Sequence, residues 1–98
     1  MSLQIVFRAE AQTEFDEAFD WYEQQQAGLG VDFLACVAEV LERIESLPEA
    51  YEVVFEGVRR AVVSKFPYLI LYKVESNWVV VLAVFHSKRD PQVWQDRI

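Results

Sequence analysis

Cysteine is almost missing from this chain. Cys36 stands alone, so no internal disulfide can form and stability must come from a packed core, as suits a reducing compartment. It falls among apolar residues at helical spacing and reads as a buried, inert thiol. Histidine is equally scarce: His86 has no second histidine or cysteine at ligand spacing, which excludes a zinc site of the usual pattern. There is no glycine-rich phosphate loop and no nucleophile elbow. The sequence calls for no metal and no cofactor. With Gly 3 and Pro 3 there is little linker, and no repeat or low-complexity tract breaks the chain. The longest apolar run, Val79–Phe85, is far too short to cross a bilayer, and no charged segment with an apolar stretch follows Met1. The expectation is a cytoplasmic protein with neither leader nor membrane anchor, folded as one domain over residues 1–98.

Positive charge is the last scarcity, and it is local. Residues 1–56 hold two basic side chains, Arg8 and Arg43, against thirteen acidic ones, a formal −11. Residues 57–98 hold seven basic and three acidic residues, a formal +4, so the overall −7 hides a bipolar chain. An acidic helical half beside a basic strand half leaves an anionic partner open. Apolar residues make up 53% and aromatics 14%, enough for a real core and too much for a disordered chain.

Leu3–Phe7 is an apolar run of strand length. From Ala9 the period changes. Ala11, Phe15, Ala18, Phe19 and Tyr22 form a helical stripe widened by Trp21, and Glu10, Glu14, Asp16, Glu17 and Asp20 take the polar face. Acids near the start suit the helix dipole. Gly28 and Gly30 punctuate a turn. A second stripe follows at Phe33, Val37, Val40, Leu41, Ile44 and Leu47, capped near Asp32 and stopped by Pro48. Two helices with so short a joint predict an antiparallel hairpin.

Pro48–Gly57 reads as a connector rich in aromatics. Three strands follow at Val58–Phe66, Leu69–Val74 and Trp78–Phe85, with Pro67 ending the first and Glu75-Ser76-Asn77 looping between the last two. The last two are nearly continuous apolar runs, which predicts central strands covered on both faces. The hairpin covers one face. Gln92–Ile98 or a partner must partly cover the other. The predicted fold is α+β, in the order β-α-α-β-β-β, with a helical hairpin packed on a mainly antiparallel sheet.

Chemistry concentrates in the basic half. Alternation sends Arg59, Ala61, Val63 and Lys65 to one face of their strand, and Val58, Arg60, Val62, Ser64 and Phe66 to the other. Periodicity does not decide which arginine faces the open side. His86, Lys88 and Arg89 follow the last strand at the sheet edge. Such a group could bind phosphate, or assist RNA cleavage with a histidine as acid or base and arginines on the developing charge. The structural alternative has His86 tying down the chain end and Arg89 paired with Asp90 or a helix acid.

At these residues the chain resembles the RelE/ParE superfamily of type II toxin–antitoxin (plasmid stabilisation) toxins. The matching pieces are Arg59-Arg60, the run FPYLILYKV (Phe66–Val74), and the apolar strand ending in His-x-x-Arg-Asp-Pro (His86, Arg89, Asp90, Pro91), with Trp94 beyond. The element order fits the whole chain. The resemblance implies a toxin held by a cognate antitoxin, in a toxin–antitoxin hetero-oligomer or with the toxin as a homodimer. It implies one of two targets. ParE-type members poison DNA gyrase without nuclease activity, and RelE-type members cut messenger RNA on the ribosome. The ribonuclease branch carries an arginine directly after the aromatic that opens the second of the three strands, where this chain has Leu69 after Tyr68. It also tends to place lysines along the preceding strand; Arg60 matches one such position and Val62 occupies the next. The expected reading is therefore ParE-like, with Arg59, Arg60, Lys65, His86, Lys88 and Arg89 meeting target or antitoxin. The alternatives are a ribonuclease using His86, Arg89, Lys88 and Arg60, and a decayed member without toxicity. The charge split also predicts an acidic antitoxin segment over residues 57–98.

Overall fold

The computed structural model describes residues 3–98. The first apolar run forms β1 (Gln4–Phe7), and the helical stripes form α1 (Ala9–Gln25) and α2 (Leu29–Ser46). The basic half forms β3 (Val58–Val62), β4 (Tyr68–Glu75) and β5 (Trp78–His86). Two further elements complete the chain, β2 (Val53–Phe55) and a short α3 (Gln92–Gln95). The strands make one five-stranded sheet in the order β1-β5-β4-β3-β2, antiparallel except where β1 runs parallel to β5. The α+β architecture expected from the sequence holds, and the two most apolar strands lie inside the sheet.

The sheet separates two cores. On one face Ala11, Ala18, Phe33, Val37, Val40 and Ile44 of the hairpin pack on Ala61, Ile70, Tyr72, Val79, Val81 and Val84. On the other, Val58, Leu71, Leu82, Ala83 and Phe85 lie under Trp94, which is 4% exposed. Gln92–Ile98 thus supplies part of the missing cover, and burying an aromatic of this size contributes about 2–3 kcal/mol. A bulge in β5 serves this second core. Leu71 pairs with Ala83 and Tyr72 with Val81, leaving Leu82 as the extra residue. Leu82 and Ala83 both join the α3 side, while Val84 turns back toward the hairpin.

Several boundaries differ from the sequence reading. Pro48–Gly57 is more than a connector, because Val53–Phe55 pairs with β3 through a tight turn at Glu56 (φ 43°) and Gly57 (φ 81°). Positive φ at both central residues matches the twist of a two-residue hairpin, and Gly57 adopts it without strain. The strand from Val58 stops at Val62, since Lys65 enters the left-handed region at φ 70° within the turn to Tyr68. Helix α2 begins at Leu29, well before Asp32, and its cap comes from the other helix. Glu23 accepts hydrogen bonds from the backbone N–H groups of Gly28, Gly30 and Val31 at 3.2, 2.8 and 3.2 Å. Those donors hold the Glu23 carboxyl below its ordinary range, the Gly28 bond most of all. Gly30 is required by the close crossing: a Cβ there would lie 2.7 Å from the Phe19 carbonyl oxygen. Leu47, expected on the buried stripe, falls past the helix end and is exposed, and Trp21, expected to widen the first stripe, is 57% exposed. Cys36 sits on the flank of α2 and is partly rather than fully buried.

Candidate partner-binding site

The two adjacent arginines leave β3 on opposite faces, as its period demands. Arg59 turns toward the hairpin side, where it donates to the carbonyl oxygens of Tyr51 (2.5 Å) and Glu49 (3.2 Å). It ties the α2–β2 connection to the sheet. Arg60 faces the α3 side and pairs with Glu52, with its side chain 44% exposed. Arg60 is therefore the arginine on the open side.

At the far end of β5 the chain doubles back. His86 lies on the hairpin side, its ring edge-on to Tyr68 with centroids 5.2 Å apart. Its Nδ1 accepts a 3.1 Å hydrogen bond from the Lys88 backbone N–H, which leaves Nε2 as the ring's N–H. Arg89 stacks over Phe85, its guanidinium carbon 4.3 Å from the ring centroid, and donates to Glu14 at 2.9 Å. These are the two structural roles the sequence allowed for His86 and Arg89. The side chains of Lys65 and Lys88 are exposed and line neither cleft described below.

Two clefts meet at Arg89. The first, about 240 Å³, lies on the hairpin side between Glu14, Glu17 and Trp21 of α1 and Tyr68, His86 and Arg89. Burial pushes the Tyr68 phenol up from its ordinary range. The second, about 260 Å³, lies on the α3 side between Arg60 and Arg89, over Leu69, Leu71 and Phe85, with Trp94 as a wall. The sheet thus divides the sequence-derived cluster. Arg60 and Arg89 share one cleft, His86 and Arg89 share the other, and Arg59 belongs to neither.

Sequence reasoning missed the pair that anchors this end of the molecule. Glu14, expected on the solvated face of α1, is 11% exposed at its side chain. It accepts from Arg97 at 3.0 and 2.8 Å, from Arg89 at 2.9 Å and from the Val84 backbone N–H at 3.1 Å. Arg97 also donates to the Leu82 carbonyl oxygen at 3.1 Å. β1 pairs with β5 only as far as Val81, so the edge from Leu82 onward has lost its strand neighbour. The Glu14–Arg97 fork takes that place, one member accepting from Val84 and the other donating to Leu82. Hydrogen bonding to Glu14 holds Arg97 above its ordinary range. One signal was available: Glu14 is i+3 from Ala11 and i−4 from Ala18, on the same helix face as both. Nothing in the local sequence marked Arg97.

This arrangement of a helical hairpin, an open sheet and a C-terminal cover recurs in a solved structure. It matches a chain of the chromosomal ParDE TA system from P. aeruginosa with a TM-score of 0.77. The match covers 89% of this chain and 98% of that one at 12% identity, a likeness of fold. No curated protein matches by sequence. The family model described as ParE toxin of type II toxin-antitoxin system, parDE, matches residues 5–91, and the chain belongs to that family. It is the toxin component of a type II toxin–antitoxin module, and its partner is an antitoxin. Among the described residues no helix is long and apolar enough to cross a membrane.

Proposed function

We propose that the chain acts in the cytoplasm as a single-domain, non-enzymatic toxin that arrests DNA gyrase by binding, and that a hetero-oligomer with its antitoxin silences it. One observation carries the preference over RNA cleavage. His86 and Arg60, the acid–base group and the strand cation a nuclease would use together, lie on opposite faces of the sheet. General acid–base catalysis needs its groups within hydrogen-bond reach of one phosphate, and the thickness of a strand layer defeats that. Leu69 supports the same reading, since it places an apolar side chain on the cleft floor between Arg60 and Arg89 and has no charge to offer a phosphorane. Arg60 and Arg89 are also engaged by Glu52 and Glu14.

Induction in growing cells tests this. The expected result is growth arrest with gyrase-linked DNA breaks and intact messenger RNA. Codon-positioned cuts in messenger RNA would overturn the reading, and unaffected growth would mark a member that has lost toxicity.

A further inference from the structure

The cleft on the hairpin side holds groups that the fold itself does not use. Trp21 at its rim is the most exposed aromatic among the described residues. Its ring is nonetheless steadied: Tyr22 meets it edge-on with centroids 5.2 Å apart, and Tyr22 is itself packed against Phe33 and Phe66. A large ring left in water but already held in place suits an interface, since little ordering remains to oppose binding. One turn earlier on α1, Glu17 is exposed and takes part in no ion pair among the described residues. Glu10 and Asp20 are exposed on the same side of the helix, so the rim along α1 is acidic. Across the cleft stands Arg89, but Glu14 already holds it. His86, whose Nδ1 is taken by the Lys88 N–H, keeps its Nε2–H to donate.

An indole face beside an unpaired carboxylate recognises a planar cation. A guanidinium stacks on the ring and donates two parallel N–H groups to the carboxylate. We propose that this cleft docks the toxin's cellular target through an arginine side chain, which stacks on Trp21 and forks onto Glu17. A main-chain carbonyl of the same segment accepts from His86 Nε2. The occupant is the target, because an acidic antitoxin segment, as the charge split predicts for residues 57–98, is repelled by this rim. An enzyme that handles DNA carries arginines and lysines on its surface to meet phosphates, and gyrase, the target proposed above, is such an enzyme. The inference rests on that reading for the identity of the target and adds the site and the contact. A nucleic-acid strand offers bases to stack on the indole, but its phosphates meet the carboxylates of Glu10, Glu17 and Asp20.

The test measures three properties of the full-length chain: affinity for purified gyrase, affinity for the antitoxin encoded by the adjoining reading frame, and growth arrest on induction. Trp21→Ala and Glu17→Arg should each lower gyrase affinity about tenfold or more and lose growth arrest, with antitoxin affinity kept. Both side chains are exposed, so neither change touches a core. Trp21→Phe keeps an aromatic face and should fall between the parent and Trp21→Ala. Glu42→Arg makes the same charge change on α2, in a different cleft, and should behave as the parent. Parent-like gyrase binding and growth arrest in Trp21→Ala and Glu17→Arg would overturn the proposal. Loss of antitoxin affinity in both would overturn it as well, assigning the cleft to the antitoxin. So would binding of a labelled single-stranded oligonucleotide that Trp21→Ala abolishes. A parent that arrests growth without binding gyrase would overturn the gyrase reading alone, and loss of that arrest in the two variants would then still support the cleft as the target's site.

Discussion

Replacing Glu14 by alanine should be among the most damaging single changes outside the apolar cores. The side chain is 11% exposed and accepts four hydrogen bonds, three from guanidinium groups and one from the Val84 backbone. Its loss leaves the Arg97 guanidinium, itself 15% exposed, with only the Leu82 carbonyl oxygen. Breaking a buried pair by removing one partner costs about 3–5 kcal/mol, and this pair, at the sheet edge and not fully dry, belongs at the lower end. Orphaning the Val84 N–H adds about 1 kcal/mol, as water reaches part of the site. A loss of about 3–4 kcal/mol is a large fraction of the roughly 5–15 kcal/mol that holds a domain together. Arg97→Ala should cost less, about 1–2 kcal/mol, because Glu14 keeps Arg89 and Val84 as partners. The double variant should be less destabilised than the sum of the two, since the uncompensated charge is then gone. Urea unfolding followed by far-ultraviolet circular dichroism measures all three. A Glu14→Ala midpoint within error of the parent, or strict additivity with Arg97→Ala, would refute the view that this pair replaces a missing strand neighbour.

The hairpin joint and the alkaline limit give two further tests. Gly30→Ala should destabilise by about 2 kcal/mol or more, because the new methyl meets the Phe19 carbonyl oxygen at the helix crossing. Gly28→Ala should cost only about 1 kcal/mol, since φ is +90° there but the space is open; thermal melts that rank the two the other way would count against the crossing argument. Tyr72 is buried, donates to the Pro48 carbonyl oxygen at 2.5 Å, and burial pushes its phenol from 10.0 up to about 12. A raised folded pKa stabilises fully below the unfolded value, so stability should hold to pH 10 and fall by roughly 2 kcal/mol as pH rises through 12. Tyr72→Phe should reduce that dependence, leaving the part due to Tyr68 and Tyr22, whose phenols burial also raises, and a difference-absorbance titration showing Tyr72 ionised near pH 10 would refute it.

Much of the molecule was legible in one dimension because the signals are local and periodic. The helical stripes name the faces of α1 and α2 that are buried, and the apolar runs at Leu69–Val74 and Trp78–Phe85 name the two interior strands. The fragments around Arg59-Arg60, Phe66–Val74 and His86–Pro91, together with the order of the elements, pointed to the family that the residue 5–91 match establishes. β2 escaped notice because its three residues end in a Glu56–Gly57 turn that is weaker as a signal than Asn-Gly or Asp-Gly. The cap of α2 escaped because Glu23 reaches it from the preceding helix.

The sequence by itself determined the first strand, the two long helices and the three longer strands, the α+β class and the gathering of basic residues in the second half. Only the tertiary structure decided what those residues can do together. The face on which a strand side chain ends depends on the bulge at Leu82, and the partner of Glu14 lies 83 residues away in the chain. Periodicity carries information over a few residues, whereas burial and ion pairing depend on which elements pack against one another. That is why His86 and Arg60, neighbours in the sequence-derived cluster, stand on opposite faces of the sheet, while Arg60 and Arg89 share one slot.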